Sequence, residues 1–221
     1  MNISTETLNV LKNFSSISPS LVVKTGSILR TISPMKNIYA KFQSPEVFEK
    51  DFALYDLNEF LGGLSLFKDP EFLFDETHVN IKGGRSASMY FYSDASVITA
   101  PPEKDIPLPS EDVTFQLSDE DLNSLLKASS VYQLPDLSLI GDGREMQLIV
   151  RDKCNDSSNT YNVSVGETSS TFCFNFKVEN LKILPGIYNV TISSPNLSIF
   201  RHTRLDLCYW IALEPDSTYE S

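Results

Sequence analysis

The residues of this chain with most to offer chemically are two histidines, three cysteines and a thin scatter of lysines. His78 falls beside a hairpin. His202 stands between Arg201 and Thr203 with Arg204 following, so nearby positive charge opposes its protonation and builds no base–nucleophile pair. Neither histidine lies at metal-ligand spacing from a cysteine. Cys154, Cys173 and Cys208 are odd in number and widely spaced, which suits reduced thiols better than a disulfide framework or a zinc site. No phosphate loop, dinucleotide-binding glycine pattern or nucleophile elbow is present, and "GDGRE" reads as a hairpin turn. The acidic residues gather in first helical turns and loops. An enzyme would need a carboxylate pair assembled only by folding. The lysines suggest different chemistry: a sparse cationic face able to meet phosphates weakly.

That face needs helices to carry it. "ISTETLNVLKNFSSI" (3–17) and "LSDEDLNSLLKASSV" (117–131) superpose without a gap at an offset of 114 residues, close to half of a 221-residue chain, as an internal duplication requires. Ser4 and Ser118 are N-cap candidates, and Leu8, Leu11 and Phe14, like Leu122, Leu125 and Leu126, recur at helical spacing. A third helix starts at Asp56, where Asp56 and Glu59 have capping-box spacing and Leu57, Phe60, Leu61 and Leu64 form a stripe. Its Gly62-Gly63 predicts close packing or an early end. A fourth helix is expected through "KVENLKILPG", with Val178, Leu181 and Leu184 inward and Pro185-Gly186 as the stop. The outward faces then hold Asn9, Lys12 and Asn13, then Asn123, Ser124 and Lys127, and Lys177 with Lys182. Any one of these lysines reads equally well as ordinary solvated surface; repetition in a duplicated scaffold is what makes them suggestive.

The rest reads as strands. "LVVKTG", "ILRTIS" and "NIYAKF" suggest a meander, and "HVNIKGGRSASMYFY" a hairpin turning at Gly83-Gly84. Further strands are expected in six segments between residues 137 and 214. "TAPPEKDIPLPSED" holds four of the chain's twelve prolines and predicts an extended connector. The expectation is an α+β protein of two similar domains, 1–100 and 113–221, joined by 101–112. A formal charge of −11 argues against a free-standing nucleic-acid binder, whose affinity comes from releasing phosphate counterions. No segment reads as a signal peptide or a membrane span.

"STETLNVLKNFSSI", "ALYDLNEFLGGLSL", "ITAPPEKDIPLPSEDV", "NLKILPGIY" and "IALEPDSTYES" resemble, in register from end to end, the sliding clamps of T-even-type tailed phages, which are DNA polymerase processivity factors. The resemblance implies the DNA-clamp fold: a homotrimeric ring of two-domain subunits around duplex DNA, helices lining the hole and antiparallel sheets outside. It implies no catalysis and no cofactor. The implied partners are duplex DNA, the replicative polymerase, an ATP-driven clamp loader and the late-transcription machinery built on RNA polymerase, in the cytoplasm of an infected bacterium. By position Lys12, Lys127 and Lys182 match the inner helices; Lys177 lies where the spacing differs. Tyr90, Tyr92, Val163 and Val165 mark candidate edge strands for subunit contact. Ile106, Leu108, Val131, Leu213 and Pro215 are candidates for a pocket that takes partner peptide tails. The competing reading of Ile106 and Leu108 is that they simply pin the connector, and the alternative function is a β-rich phage structural or assembly protein.

Overall fold

Ser4 starts the first helix for a local reason. In the computed structural model, which describes residues 1–220, its Oγ accepts the Thr7 amide at 3.2 Å, capping α1 (Thr5–Ile17). Val10, Leu11, Phe14 and Ile17 are buried along one stripe of that helix, and Lys12 stays exposed. A second device holds the same end. The Glu46 carboxylate accepts from the Ser4 amide and from Thr7 Oγ1, each at 2.5 Å, and from Ser44 Oγ. Burial pushes the Glu46 pKa up, but these hydrogen bonds outweigh it and bring it to about 2.

The chain forms two units, Met1–Lys104 with Leu205–Leu207, and Asp105–Arg204 with the residues from Cys208 on. After α1 the first unit continues with β1 (Leu21–Val23), β2 (Gly26–Ile32), β3 (Ile38–Phe48), β4 (Phe52–Leu54) and α2 (Leu57–Leu64). It then adds β5 (Glu71–Phe74), β6 (His78–Gly83) and β7 (Ser86–Phe91). β5, β6 and β7 form an antiparallel meander, and β6 turns into β7 through Gly84 at φ +60°, a conformation open to glycine. The meander expected across β1, β2 and β3 is corrected: β2 pairs with β3, whereas β1 pairs with β4. Asp51, just before β4, explains the change. It accepts from the Thr25 amide at 2.7 Å and from Lys24 Nζ at 2.9 Å, tying the end of β1 to the start of β4.

α2 begins as its spacing predicts, with Asp56 Oδ1 accepting the Glu59 amide at 2.9 Å. Gly62 and Gly63 serve an early end and not close packing. A Cβ at either would meet nothing within 4 Å, and the helix stops at Leu64.

The second unit holds β8 (Val113–Leu117), α3 (Asp119–Tyr132), β9 (Asp136–Asp142), β10 (Glu145–Arg151), β11 (Tyr161–Glu167) and β12 (Thr171–Lys177). It closes with β13 (Tyr188–Ser193), β14 (Leu197–His202), β15 (Leu207–Ala212) and β16 (Thr218–Glu220). One antiparallel sheet runs β11-β10-β9-β12-β16, and β15, β14, β13 and β8 are neighbours in another. The helix α3 repeats α1: Ser118 Oγ accepts the Asp121 amide at 3.1 Å, and Leu122, Leu125 and Ala128 are buried.

The fourth helix does not form. Val178–Asn180 makes one 3-10 turn with no side-chain cap, and the chain then runs irregularly to Pro185. Leu181 and Ile183 are both buried, a spacing of two that a helix cannot aim at one core. Two buried tyrosines take over the freed main-chain groups: the Leu184 amide donates to Tyr209 Oη at 3.1 Å, and Tyr188 Oη donates to the Leu184 carbonyl.

Candidate DNA-facing helices and partner edges

Lys12 and Lys127 are exposed, each on the side of its helix away from the buried stripe. Asn9 and Asn123 share that exposure, and Asn13 and Ser124 are half-buried. Lys182 is also exposed, but on the irregular segment after the 3-10 turn and so not on a helix. Lys177 ends β12, and its Nζ sits 2.5 Å from the buried carboxylate of Asp136. The hydrogen bond to Asp136 raises the Lys177 pKa, so the ammonium persists but its charge is matched at home. The helix faces are thus nearly neutral, with one well-exposed lysine apiece.

The candidate interface residues fall on two sheet edges. β7 ends the meander of the first unit, and β11 ends the five-stranded sheet of the second. Tyr90 and Tyr92 nevertheless point inward. Tyr90 Oη donates to the Asp56 carbonyl at 3.0 Å and its ring meets Phe60 edge-on at 5.3 Å; Tyr92 stacks on Phe52 at 5.1 Å. Burial pushes each phenol up to about 12. The residues between and before them turn outward, Met89 at 50% and Phe91 at 66% exposure. Strand alternation carries that signal, since fixing Tyr90 inward sends Met89 and Phe91 the other way. On β11, Val163 and Val165 are half-buried and Tyr161 is exposed.

The connector is fastened to the second unit. Trp210 Nε1 donates to the Ile106 carbonyl at 2.8 Å, the Ser110 amide to Ser193 Oγ at 3.1 Å, and the Ser194 amide to Asp112 Oδ2 at 2.7 Å. Ile106 and Leu108 are half-buried there, Leu213 is buried and Pro215 exposed. Val131 stands apart in character: it is 67% exposed in the last turn of α3, beside exposed Tyr132. The Ile106 anchoring fits a pinned connector, in which Ile106 and Leu108 keep part of their exposure. Among the described residues no group of three or more His, Cys, Asp or Glu could hold a metal ion, and no helix is long and apolar enough to cross a membrane.

Two α+β units, each with an amphipathic helix presenting a nearly neutral face and a sheet ending in an open edge, define the clamp class of DNA replication proteins. Residues 4–100 match the family model described as DNA polymerase processivity factor, and residues 114–215 match that of the gp45 sliding clamp, C terminal. The sliding clamp of Vibrio phage KVP40 is 33% identical across 97% of this chain and 99% of its own. That of Enterobacteria phage T4 is 30% identical over the whole of both chains. Among solved structures, PCNA from Thermococcus kodakaraensis superposes with a TM-score of 0.70 over 95% of this chain and 96% of its own at 14% identity, a likeness of fold. The chain belongs to the phage sliding clamp family of DNA polymerase processivity factors, which are not enzymes.

Proposed function

We propose that three copies of this chain close head to tail into a ring around duplex DNA and tether the replicative polymerase of the phage. The observation that carries the reading is the pair of open edges. β7 and β11 end different sheets in different units, as a heterologous interface that closes on itself requires. Met89 and Phe91 supply the exposed apolar surface that such a contact buries.

In this ring the domains 1–100 and 113–221, joined by 101–112, alternate to give six domains, and α1 and α3 turn Lys12 and Lys127 toward the hole. Lys182 adds to them from its loop, and Lys177, neutralised by Asp136, adds least. Enclosure holds the duplex, so few phosphate contacts are needed, and an overall charge of −11 keeps DNA off the outer rim. An ATP-driven loader opens the ring onto DNA. Polymerase, loader and late-transcription tails dock by apolar anchors along the connector near Ile106, Leu108, Leu213 and Pro215, with Val131 as a further contact. The setting is the cytoplasm of the infected bacterium.

Primer extension with the cognate polymerase tests this. Full-length products should require clamp, loader and ATP together. Replacing Lys12, Lys127 and Lys182 with alanine should leave the trimer intact but cut extension as salt rises, because each loses a phosphate contact. Extension that ignores the triple replacement at every salt concentration removes the inner-face assignment.

A further inference from the structure

We propose that Arg85 of one copy keys into β11 of the next, its carbonyl accepting the Ser164 amide and its guanidinium meeting the carboxylates of Glu145 and Glu167. This contact rests on the ring proposed above and fixes the register in which that ring closes. The two units end in matching meanders, β5-β6-β7 and β13-β14-β15. Arg85 immediately precedes β7, as Asp206 immediately precedes β15. Asp206 already has work at that position: its carbonyl accepts the Gln43 amide of β3 at 2.9 Å.

Gln43 has a counterpart in the second unit. The β2–β3 pairing is regular from Ile32 opposite Tyr39 to Ile28 opposite Gln43, and then slips to Gly26 opposite Phe48. The β10–β11 pairing is regular from Val150 opposite Tyr161 to Gln147 opposite Ser164, and then slips to Met146 opposite Gly166. Gln43 and Ser164 are thus the last ladder positions before equivalent irregularities. β11 is the terminal strand of its sheet, so the Ser164 amide faces an open edge. Seating Arg85 there and continuing antiparallel brings Ala87 opposite Asn162 and Met89 opposite Thr160.

The side chains fit the same register. Glu145 and Glu167 are directly opposite each other, a like-charge pair that a cation relieves. They share a face with Ser164, and the Glu145 carboxylate accepts from Gln147 Nε2 at 3.0 Å and from the Ser164 hydroxyl. At that end of the sheet Asp142, Glu145 and Glu167 stand against Arg144. On the other partner, Lys82 is opposite Glu71, and Lys68, whose carbonyl lies against Gly83, is followed by Asp69. Exposed Arg85 is the charge left for the hairpin tip to offer. A guanidinium reaches two carboxylates at once through its fork of donors.

The test uses the full chain, with analytical ultracentrifugation and disulfide trapping. Arg85→Glu should weaken trimer association about tenfold or more, and adding Glu167→Arg to it should restore most of the loss. Facing residues of an antiparallel pair have Cα atoms about 5.5 Å apart, within reach of a disulfide. In a Cys154→Ser background, Arg85→Cys with Ser164→Cys should therefore give covalently closed trimers on a non-reducing gel. Ala87→Cys with Ser164→Cys, two residues out of register, should not. Trimers that ignore Arg85→Glu, or that are trapped by the Ala87 pair and not the Arg85 pair, would overturn this contact and leave the ring standing. Unsubstituted protein that stays monomeric at every concentration would overturn the ring and this contact with it.

Discussion

β7 and β15 are the third strands of matching meanders, yet they live in opposite surroundings. β15 buries Leu207, Tyr209, Trp210 and Ile211, whereas five of the six residues of β7 are exposed and the sixth, Tyr90, is half-buried. Their sequences differ in the same sense: "LCYWIA" is apolar throughout, and "SASMYF" begins with small residues and ends with aromatics. A strand whose aromatics alternate between an inner and an outer face has something to gain from a partner. The contrast teaches that an internal duplication can keep its architecture while one copy buries its third strand and the other leaves it exposed.

The sharpest way to break this comparison is to charge β7. Met89→Lys with Phe91→Lys should turn a trimer into monomers in analytical ultracentrifugation while circular dichroism stays unchanged, weakening association at least about a hundredfold, since each substitution buries an unpaired charge. The matching change on β15 should act on the fold instead. Trp210→Phe leaves the Ile106 carbonyl without its donor; chemical denaturation should show a loss of about 1–3 kcal/mol. Alanine at Met89 should cost that unmixed protomer less than about 0.5 kcal/mol.

The helix caps offer a gentler test. Ser118→Ala should cost about 1 kcal/mol, because the Asp121 amide loses its acceptor. Ser4→Ala should cost less, since Glu46 also braces that end of α1. The smallest effect is a pH dependence. Glu46 has a folded-state pKa of about 2 against an ordinary 4.5, so its contribution is full above about 4.5 and is lost as pH falls through about 2. Glu46→Gln should flatten that acid limb in a pH series of thermal melts; an unchanged limb would show that the three donors do not favour the ionised carboxylate.

Much of this was legible in the sequence because it rests on local chemistry. Ser4, Ser118 and Asp56 cap the helices they announce, and Gly84 turns the hairpin that "KGGR" marks. What the sequence concealed depends on distant groups. Asp51 redirects β1 toward β4 from 26 residues beyond Thr25, and no periodicity reports that. The segment at 178–184 imitates a helix in its apolar spacing, but the hydroxyls of Tyr188 and Tyr209 hold its main chain irregular. Lys177 looked like free charge until Asp136, 41 residues away, came beside it. At β7 aromatic character drew attention to Tyr90 and Tyr92, whereas alternation exposes Met89 and Phe91.

One measurement bears most directly on enclosure. Labelled protein loaded onto nicked circular DNA by loader and ATP should stay bound through gel filtration in high salt and leave when the circle is cut. Protein that dissociates from closed circles as fast as from linear ones, or that is never retained at all, would contradict a ring held by topology.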